Sequence, residues 1–123
     1  MLNKKTILLL YIAYLIIITY MSLVSIDTQV KISIDYADKI AHIGIHFINV
    51  CLLFIVGYKY KINKTLLLAF VVSVSYGIVI EALQEILTAK RHFDVFDMLA
   101  NTVGALLAII FLTLTGKTLV KKM

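Results

Sequence analysis

The sequence predicts an all-α protein, an integral membrane bundle of four antiparallel transmembrane helices. Apolar residues make up 62% of its 123 residues, whereas about 45–50% is usual for a soluble domain. Charged residues make up only 15%, and the mean hydropathy is +1.00. A soluble monomer of 13.9 kDa has too little interior to bury so much apolar surface. The composition therefore excludes a soluble globule and a disordered chain, and it leaves a membrane protein.

Four long apolar runs give the positions of the helices. The expected helices cover residues 7–26, 40–58, 65–87 and 95–115, and the connections between them are short. The first run has twenty residues without a charge, which is enough for a helix to cross about 30 Å of hydrocarbon. It is too long for a typical signal-peptide core, and the runs do not alternate as barrel strands do. We expect one domain over residues 1–123, in which sequential helices are neighbours.

The basic residues predict how the helices are oriented. Eight of the twelve lie at the two termini and in the second loop, and four lie in the first and third loops. The positive-inside rule then places both termini in the cytoplasm. The acidic residues all fall on the opposite, outer side, which suggests that the chemistry faces outward. These acids are Asp27, Asp35, Asp38, Glu81, Glu85, Asp94 and Asp97.

This topology gives a first testable prediction. Alkaline phosphatase fused to the C-terminus is expected to stay inactive, because its disulfides form only outside the reducing cytoplasm. The measurement is phosphatase activity at matched expression, and a fusion in the first loop is the active control. Strong activity of the C-terminal fusion would overturn the predicted orientation.

Three of the predicted helices carry polar residues along one face at about 100° per residue. The stripes comprise Asp38, His42, His46 and Asn49 in the second helix, Gly77, Glu81, Gln84, Glu85 and Thr88 in the third, and Asp94, Asp97, Asn101, Gly104, Ala105 and Ala108 in the fourth. Three stripes at one depth predict a pocket in the outer half of the membrane. Each ionisable group at the bilayer centre costs about 2.5–3.5 kcal/mol on insertion scales. Because neutral polar residues could hold a purely structural bundle together, we interpret the stripes as a functional site.

Several of these residues also have structural interpretations. Asp38 and Asp94 stand where the second and fourth helices are expected to begin, so N-capping is an alternative role for both. Asp94 and Asp97 have the spacing of a capping box. Gly104 and Ala108 form a pair of small residues four positions apart, which favours close packing of helices more than chemistry.

A metal site is a weaker interpretation of the same residues. His42 and His46, four positions apart, could chelate a metal ion if Glu81 or Asp97 completed the ligand set. This histidine spacing is common by chance, and a lone His42 hydrogen-bonded to a carboxylate is the commoner outcome. We therefore assign no metal and no cofactor from the sequence. Zincin, serine-hydrolase and nucleotide-loop motifs are absent, and the short dibasic ends do not predict nucleic-acid binding.

An anion site is another interpretation of this region. The second and fourth helices both point their N-termini outward, where unpaired N–H groups and a partial positive charge are expected. Lys39 lies at the first of these ends and Arg91 lies just before the second. Together they predict a site for phosphate or pyrophosphate. The neighbouring carboxylates could bind sugar hydroxyls, an amine or a divalent cation.

The polar residues also form a specific combination of motifs. D-K-x-x-H opens the second helix, E-x-x-Q lies late in the third, and R-x-x-D-x-x-D-x-x-x-N-x-x-G leads into the fourth. This arrangement resembles the VanZ-like family of small bacterial membrane proteins over about residues 35–110. His46 departs from the family pattern, in which an aromatic residue is more usual. The residues that match the pattern are Asp38, Lys39, His42, Glu81, Gln84, Arg91, Asp94, Asp97 and Asn101.

The resemblance implies a multi-pass protein of the bacterial cytoplasmic membrane that is linked to the cell envelope. The eponymous member of the family is associated with resistance to the glycopeptide teicoplanin, but the resemblance implies no particular reaction. One hypothesis is that the nine matching residues bind or handle an anionic lipid or a lipid-linked envelope intermediate. The expected partners are then membrane lipid and this anionic ligand, without nucleic acid.

Two further hypotheses stay open. The protein could be a small membrane enzyme in which Glu81 or Asp97 is a general base beside His42. Alternatively, it could be an assembly partner whose polar stripes dock another membrane protein. Turnover of a substrate would distinguish the enzyme, and loss of folding or of the partner on mutation of the stripes would favour the docking role.

Overall fold

A computed structural model describes residues 2–24, 35–87 and 94–122. These residues form four α-helices and no strand: α1 (Lys4–Val24), α2 (Asp35–Lys59), α3 (Thr65–Leu87) and α4 (Val95–Lys122). All four helices are long and apolar enough to cross a membrane. The predicted all-α architecture with four membrane-spanning helices is confirmed.

The start of α2 differs from the prediction in a way that matters for the site. The helix begins at Asp35 rather than near residue 40. Asp38 therefore lies within the first turn, and the N-capping interpretation of this residue is wrong. Lys39 follows it inside the helix. The extra turn forms because no proline or glycine interrupts residues 35–40.

Two other boundaries extend beyond the apolar runs. The first helix starts at Lys4, because the side chain of Asn3 accepts a hydrogen bond from the backbone N–H of Thr6 at 2.8 Å and caps the helix. Residues 25–26, where this helix was predicted to end, lie outside the described residues. The fourth helix continues to Lys122 instead of residue 115, and Val120 in the added turns is buried. Capping by Asn3 therefore determines where α1 begins, and packing of Val120 determines how far α4 extends, beyond the limits of the apolar runs.

Contacts between helices show which ends lie together. Gln84 near the end of α3 donates a hydrogen bond to the carbonyl of Ser22 near the end of α1, at 2.8 Å. Lys39 near the start of α2 donates to Asp94, which directly precedes α4, at 2.9 Å. The backbone N–H of Asp94 donates to Glu81 of α3 at 3.0 Å. The ends of α1 and α3 and the starts of α2 and α4 thus form one end of the bundle, which we call the acidic end. The side of the membrane that it faces stays a prediction.

The interior of the bundle changes character along its length. Away from the acidic end, one buried cluster comprises Val50, Ala69, Ala105, Ala108 and Leu112, and a second comprises Ile7, Ile55 and Val120. Toward the acidic end, the buried side chains include seven polar ones: His46, Asn49, Ser73, Glu81, Gln84, Asp97 and Asn101. Many other large apolar side chains on all four helices are exposed on the outside of the bundle. An apolar half therefore supports a polar half inside a surface that is suited to lipid.

Close packing of α2 against α4 aligns the two polar helices. A Cβ atom at Gly104 would overlap the backbone carbonyl oxygen of Ile43. Ala108, one turn further along α4, is completely buried. Small side chains allow two helix backbones to approach in this way. The packing interpretation of Gly104 and Ala108 is therefore confirmed.

Candidate functional site

The ammonium group of Lys39 contacts three carboxylates at the acidic end. Its Nζ atom donates a hydrogen bond to Asp97 Oδ1 and another to Asp94 Oδ2, the latter at 2.9 Å, and it lies 3.6 Å from Asp38 Oδ2. The side chain of Asp97 is only 3% exposed, whereas those of Asp94 and Asp38 are 40% and 44% exposed. One ammonium group thus links α2 to α4 across a buried carboxylate. An anion bound at Lys39 would have to share that ammonium with these carboxylates.

Asp94 caps the start of α4. Its Oδ1 atom accepts a hydrogen bond from the backbone N–H of Phe96 at 2.8 Å, as an N-cap residue does. The capping interpretation of Asp94 is confirmed, but the capping box with Asp97 is wrong. The Asp97 carboxylate turns to Lys39, and Glu81 of α3 accepts the hydrogen bond from the Asp94 backbone N–H instead. A side chain from another helix therefore completes the cap.

The hydrogen bond from Lys39 also holds the pKa of Asp94 below its ordinary value of 3.8. Because the folded pKa is below the unfolded one, this interaction stabilises the fold above the unfolded pKa and is lost as the pH falls through the folded pKa. The Asp94 side chain is 40% exposed, so water screens the ion pair and its contribution is small.

His42 lies one turn after Asp38 on the same face of α2. Its Nδ1 atom is 2.8 Å from Asn101 Oδ1 on α4. An amide oxygen can only accept, so the Nδ1 atom carries the proton. The Nε2 atom lies 3.7 Å from Asp38 Oδ1 and 3.7 Å from Asp97 Oδ2. The ring is therefore oriented by α4 and directs Nε2 toward two carboxylates.

His46 has a different environment, one turn deeper in the bundle. It is buried, and its Nδ1 atom is 3.0 Å from Ser73 Oγ on α3. The Asn49 amide donates to the same hydroxyl at 3.0 Å. These contacts make the deeper part of the α2 stripe a hydrogen-bond network between helices. Nothing in the described residues places His46 beside a carboxylate with His42, as the sequence-based chelate required.

Two buried side chains of α3 complete the polar cluster. Glu81 and Gln84 are 1% and 2% exposed, and they lie at the level of the Asp94 cap and of the end of α1. Tyr14 of α1 reaches the bundle through a hydrogen bond from its hydroxyl to the carbonyl of Ile45, at 2.6 Å. The first helix therefore closes the cluster on the side opposite α4.

A partly open cavity of about 340 Å³ lies between these helices at the acidic end. Its polar lining comes from Asp38, His42, Glu81, Gln84 and Asn101, together with Ser22, His46 and Tyr76. Its apolar lining comes from Ile18, Met21, Ile45 and Ile80, with Ala41 and Gly77. A Cβ atom at Gly77 would lie 2.7 Å from Asn101 Nδ2 and 2.9 Å from His46 Cε1, so a larger residue there would have to displace these two side chains.

The structure brings together most of the residues that the sequence singled out. Six of them form one contact network, and Gln84 lines the same cavity as Asp38 and His42. The six are Asp38, Lys39, His42, Asp94, Asp97 and Asn101. Glu81 joins the network through the backbone of Asp94. Arg91, the remaining candidate, lies outside the described residues.

Sequence analysis missed Ser73, which holds both His46 and Asn49. Ser73 lies four residues before Gly77 and eight before Glu81, so it extends the polar stripe of α3 by one turn. Extending that stripe toward the N-terminus of the helix would have found it.

The helices and the cluster define a small multi-pass membrane protein with a buried, acid-rich site at one end. The chain matches the model of the VanZ/LLP1 family over residues 6–116. Since this match spans most of the chain, the protein belongs to the VanZ/LLP1 family, and the resemblance inferred from the motifs is confirmed. Comparisons with curated proteins and with solved structures return no significant match.

Proposed function

We propose that this protein binds an anionic lipid or a lipid-linked envelope intermediate in the bacterial cytoplasmic membrane, with the polar head group in the cavity at the acidic end. The observation that supports this proposal is the two-sided lining of the cavity. Asp38, His42 and Glu81 offer polar atoms, while Ile18 and Ile80 offer an apolar wall. A molecule with a polar head and a hydrocarbon tail satisfies both surfaces.

The volume of the cavity limits how much of such a molecule it can hold. Ligand pockets span about 300–1,000 Å³, and 340 Å³ lies at the small end of that range. At about 30 Å³ per liquid water, the cavity corresponds to roughly a dozen waters. It therefore accommodates a head group such as a phosphate with part of a sugar, while the hydrocarbon tail stays among the outward apolar faces of the helices.

The chemistry of the cluster suits a head group that carries hydroxyls as well as negative charge. The carboxylates of Asp38 and Glu81 can accept hydrogen bonds from sugar hydroxyls. Lys39, His42 and Arg91 are the residues proposed to hold a phosphate. Lys39 already donates hydrogen bonds to Asp94 and Asp97. A phosphate bound at Lys39 would therefore share the ammonium group with these two carboxylates.

The proposal is tested by the lipids that co-purify with the Glu81→Gln variant. Glutamine keeps an oxygen that can accept from the Asp94 backbone N–H, so we expect the variant to fold. It removes the charge from a side chain that lines the cavity, so we expect at least a tenfold loss of bound lipid. The measurement is native mass spectrometry in mild detergent, in which the mass distinguishes an ordinary phospholipid from a lipid-linked glycan.

Glu85→Gln is the matched control, because Glu85 lies one turn further along α3 and is exposed. We expect it to retain the lipid of the wild-type protein. Equal lipid occupancy of the wild-type protein and Glu81→Gln would refute the proposal. Since the eponymous member of the family is associated with teicoplanin resistance, susceptibility to that antibiotic is a second measurement on the same variants.

A further inference from the structure

We propose that Asp38, His42 and Asp97 bind a divalent transition-metal ion at the acidic end of the bundle. Each of the three offers one ligand atom, and these atoms all lie within 4.8 Å of one another. Binding of the metal requires no lipid, so this proposal stands apart from the proposed function.

The distances are close to those of a ligated ion. His42 Nε2 lies 3.7 Å from Asp38 Oδ1 and 3.7 Å from Asp97 Oδ2. Ligands about 2.0–2.1 Å from a tetrahedral Zn²⁺ are separated by about 3.3 Å. The two histidine–carboxylate pairs therefore need to approach by only a few tenths of an ångström, and the carboxylate oxygens of Asp38 and Asp97 lie within 4.8 Å of each other. At 3.7 Å, neither carboxylate is within ordinary hydrogen-bond distance of the ring nitrogen.

The orientation of His42 is the second observation that points to a metal. Its Nδ1 atom faces the Asn101 carbonyl oxygen at 2.8 Å, which leaves Nε2 as the atom that faces the carboxylates. Metal-binding histidines are usually held in this way, with one ring nitrogen donating to an oxygen and the other free for the ion. The Nε2 atom and the two carboxylates thus face one another, and a metal cation placed among them would interact favourably with all three.

Asp97 is oriented by the same principle. Lys39 donates to its Oδ1 atom, and the Oδ2 atom faces His42. The carboxylate is 3% exposed, so it is fixed in position before any ion arrives. Asn101 and Lys39 thus hold two of the three ligands from outside the metal site.

The cavity gives the site an entrance and open coordination positions. Asp38 and His42 line it, whereas Asp97 is not part of its lining. Three protein ligands with a free face are typical of zinc sites that take up a further ligand, whereas structural zinc sites use four. One nitrogen and two carboxylate oxygens suit Zn²⁺ and also Mn²⁺, and the general order of affinities favours Zn²⁺.

Equilibrium dialysis of the detergent-purified protein against Zn²⁺ or Mn²⁺ tests the proposal, with the bound metal measured by mass spectrometry. We expect one Zn²⁺ per chain in the wild-type protein and weaker Mn²⁺ binding. His42→Asn keeps an amide that can donate to Asn101 but lacks Nε2, and Asp38→Asn removes a charged ligand. Both variants are expected to bind Zn²⁺ at least tenfold more weakly.

His46→Asn is the matched control, since His46 lies one turn deeper and contacts Ser73. It is expected to bind Zn²⁺ within twofold of the wild-type affinity. A folded wild-type protein that retains no metal, or equal Zn²⁺ affinity in the wild-type protein and His42→Asn, would overturn the proposal.

If a variant fails to fold, a spectrum of the metal-loaded wild-type protein still tests the proposed site. Electron paramagnetic resonance of the Cu²⁺-loaded protein is expected to show coupling to one imidazole nitrogen. Coupling to no nitrogen would contradict the site. Because both experiments use the metal alone, a negative lipid result leaves this proposal intact, and a negative metal result leaves the lipid proposal intact.

Discussion

Lys39→Met is expected to destabilise the bundle by about 1–3 kcal/mol, less than the cost of breaking a fully buried ion pair, because the Lys39 side chain is 29% exposed. Methionine has nearly the length of lysine but carries no charge. Asp97, with 3% of its side chain exposed, would then lose the ammonium that neutralises it. The measurement is thermal unfolding in detergent, followed by circular dichroism because the chain has no tryptophan.

The double variant Lys39→Met/Asp97→Asn is the informative control. It removes the negative charge of Asp97 together with the positive charge of Lys39. We therefore expect it to recover most of the stability that Lys39→Met loses. Lys5→Met, at an exposed position of α1, is expected to be neutral. Wild-type stability of Lys39→Met would show that the ion pairs at the acidic end do not hold α2 against α4.

Gly104→Ala is expected to destabilise the protein by about 3 kcal/mol, the upper end of the usual cost of overpacking a core. The added Cβ atom would overlap the backbone carbonyl of Ile43, and a helix backbone cannot move aside as a flexible side chain can. Separation of α2 from α4 would also draw Lys39 away from Asp97. The measurement is again the thermal midpoint, together with the yield of monodisperse protein.

Gly44→Ala is the matched control for this substitution. Gly44 lies on the same helix as Ile43, but a Cβ atom there would meet nothing within 4 Å. Alanine favours helix over glycine by about 1 kcal/mol, so this variant is expected to be neutral or slightly more stable. Equal midpoints for the two variants would mean that the contact between Gly104 and Ile43 does not limit the packing.

The sequence by itself determined the class of protein and most of the candidate site residues. Four apolar runs predict four spanning helices because hydropathy over about twenty residues is a local property that tertiary contacts do not change. The polar stripes are equally local, since a spacing of three or four residues puts side chains on one face of a helix. Asp38, His42 and Asn101 were found in this way.

The tertiary structure decided which of those side chains meet. Sequence spacing paired Asp97 with Asp94 in a capping box, whereas the structure gives that role to Glu81 and gives Asp97 to Lys39. It also placed His42, rather than a pair of histidines, beside the carboxylates. A stripe fixes the face of a helix, but its rotation and axial offset against its neighbours come from packing such as that of Gly104 on α2. Shifts of an ångström in that packing determine which charged atoms reach hydrogen-bond distance, and a single helix does not encode them.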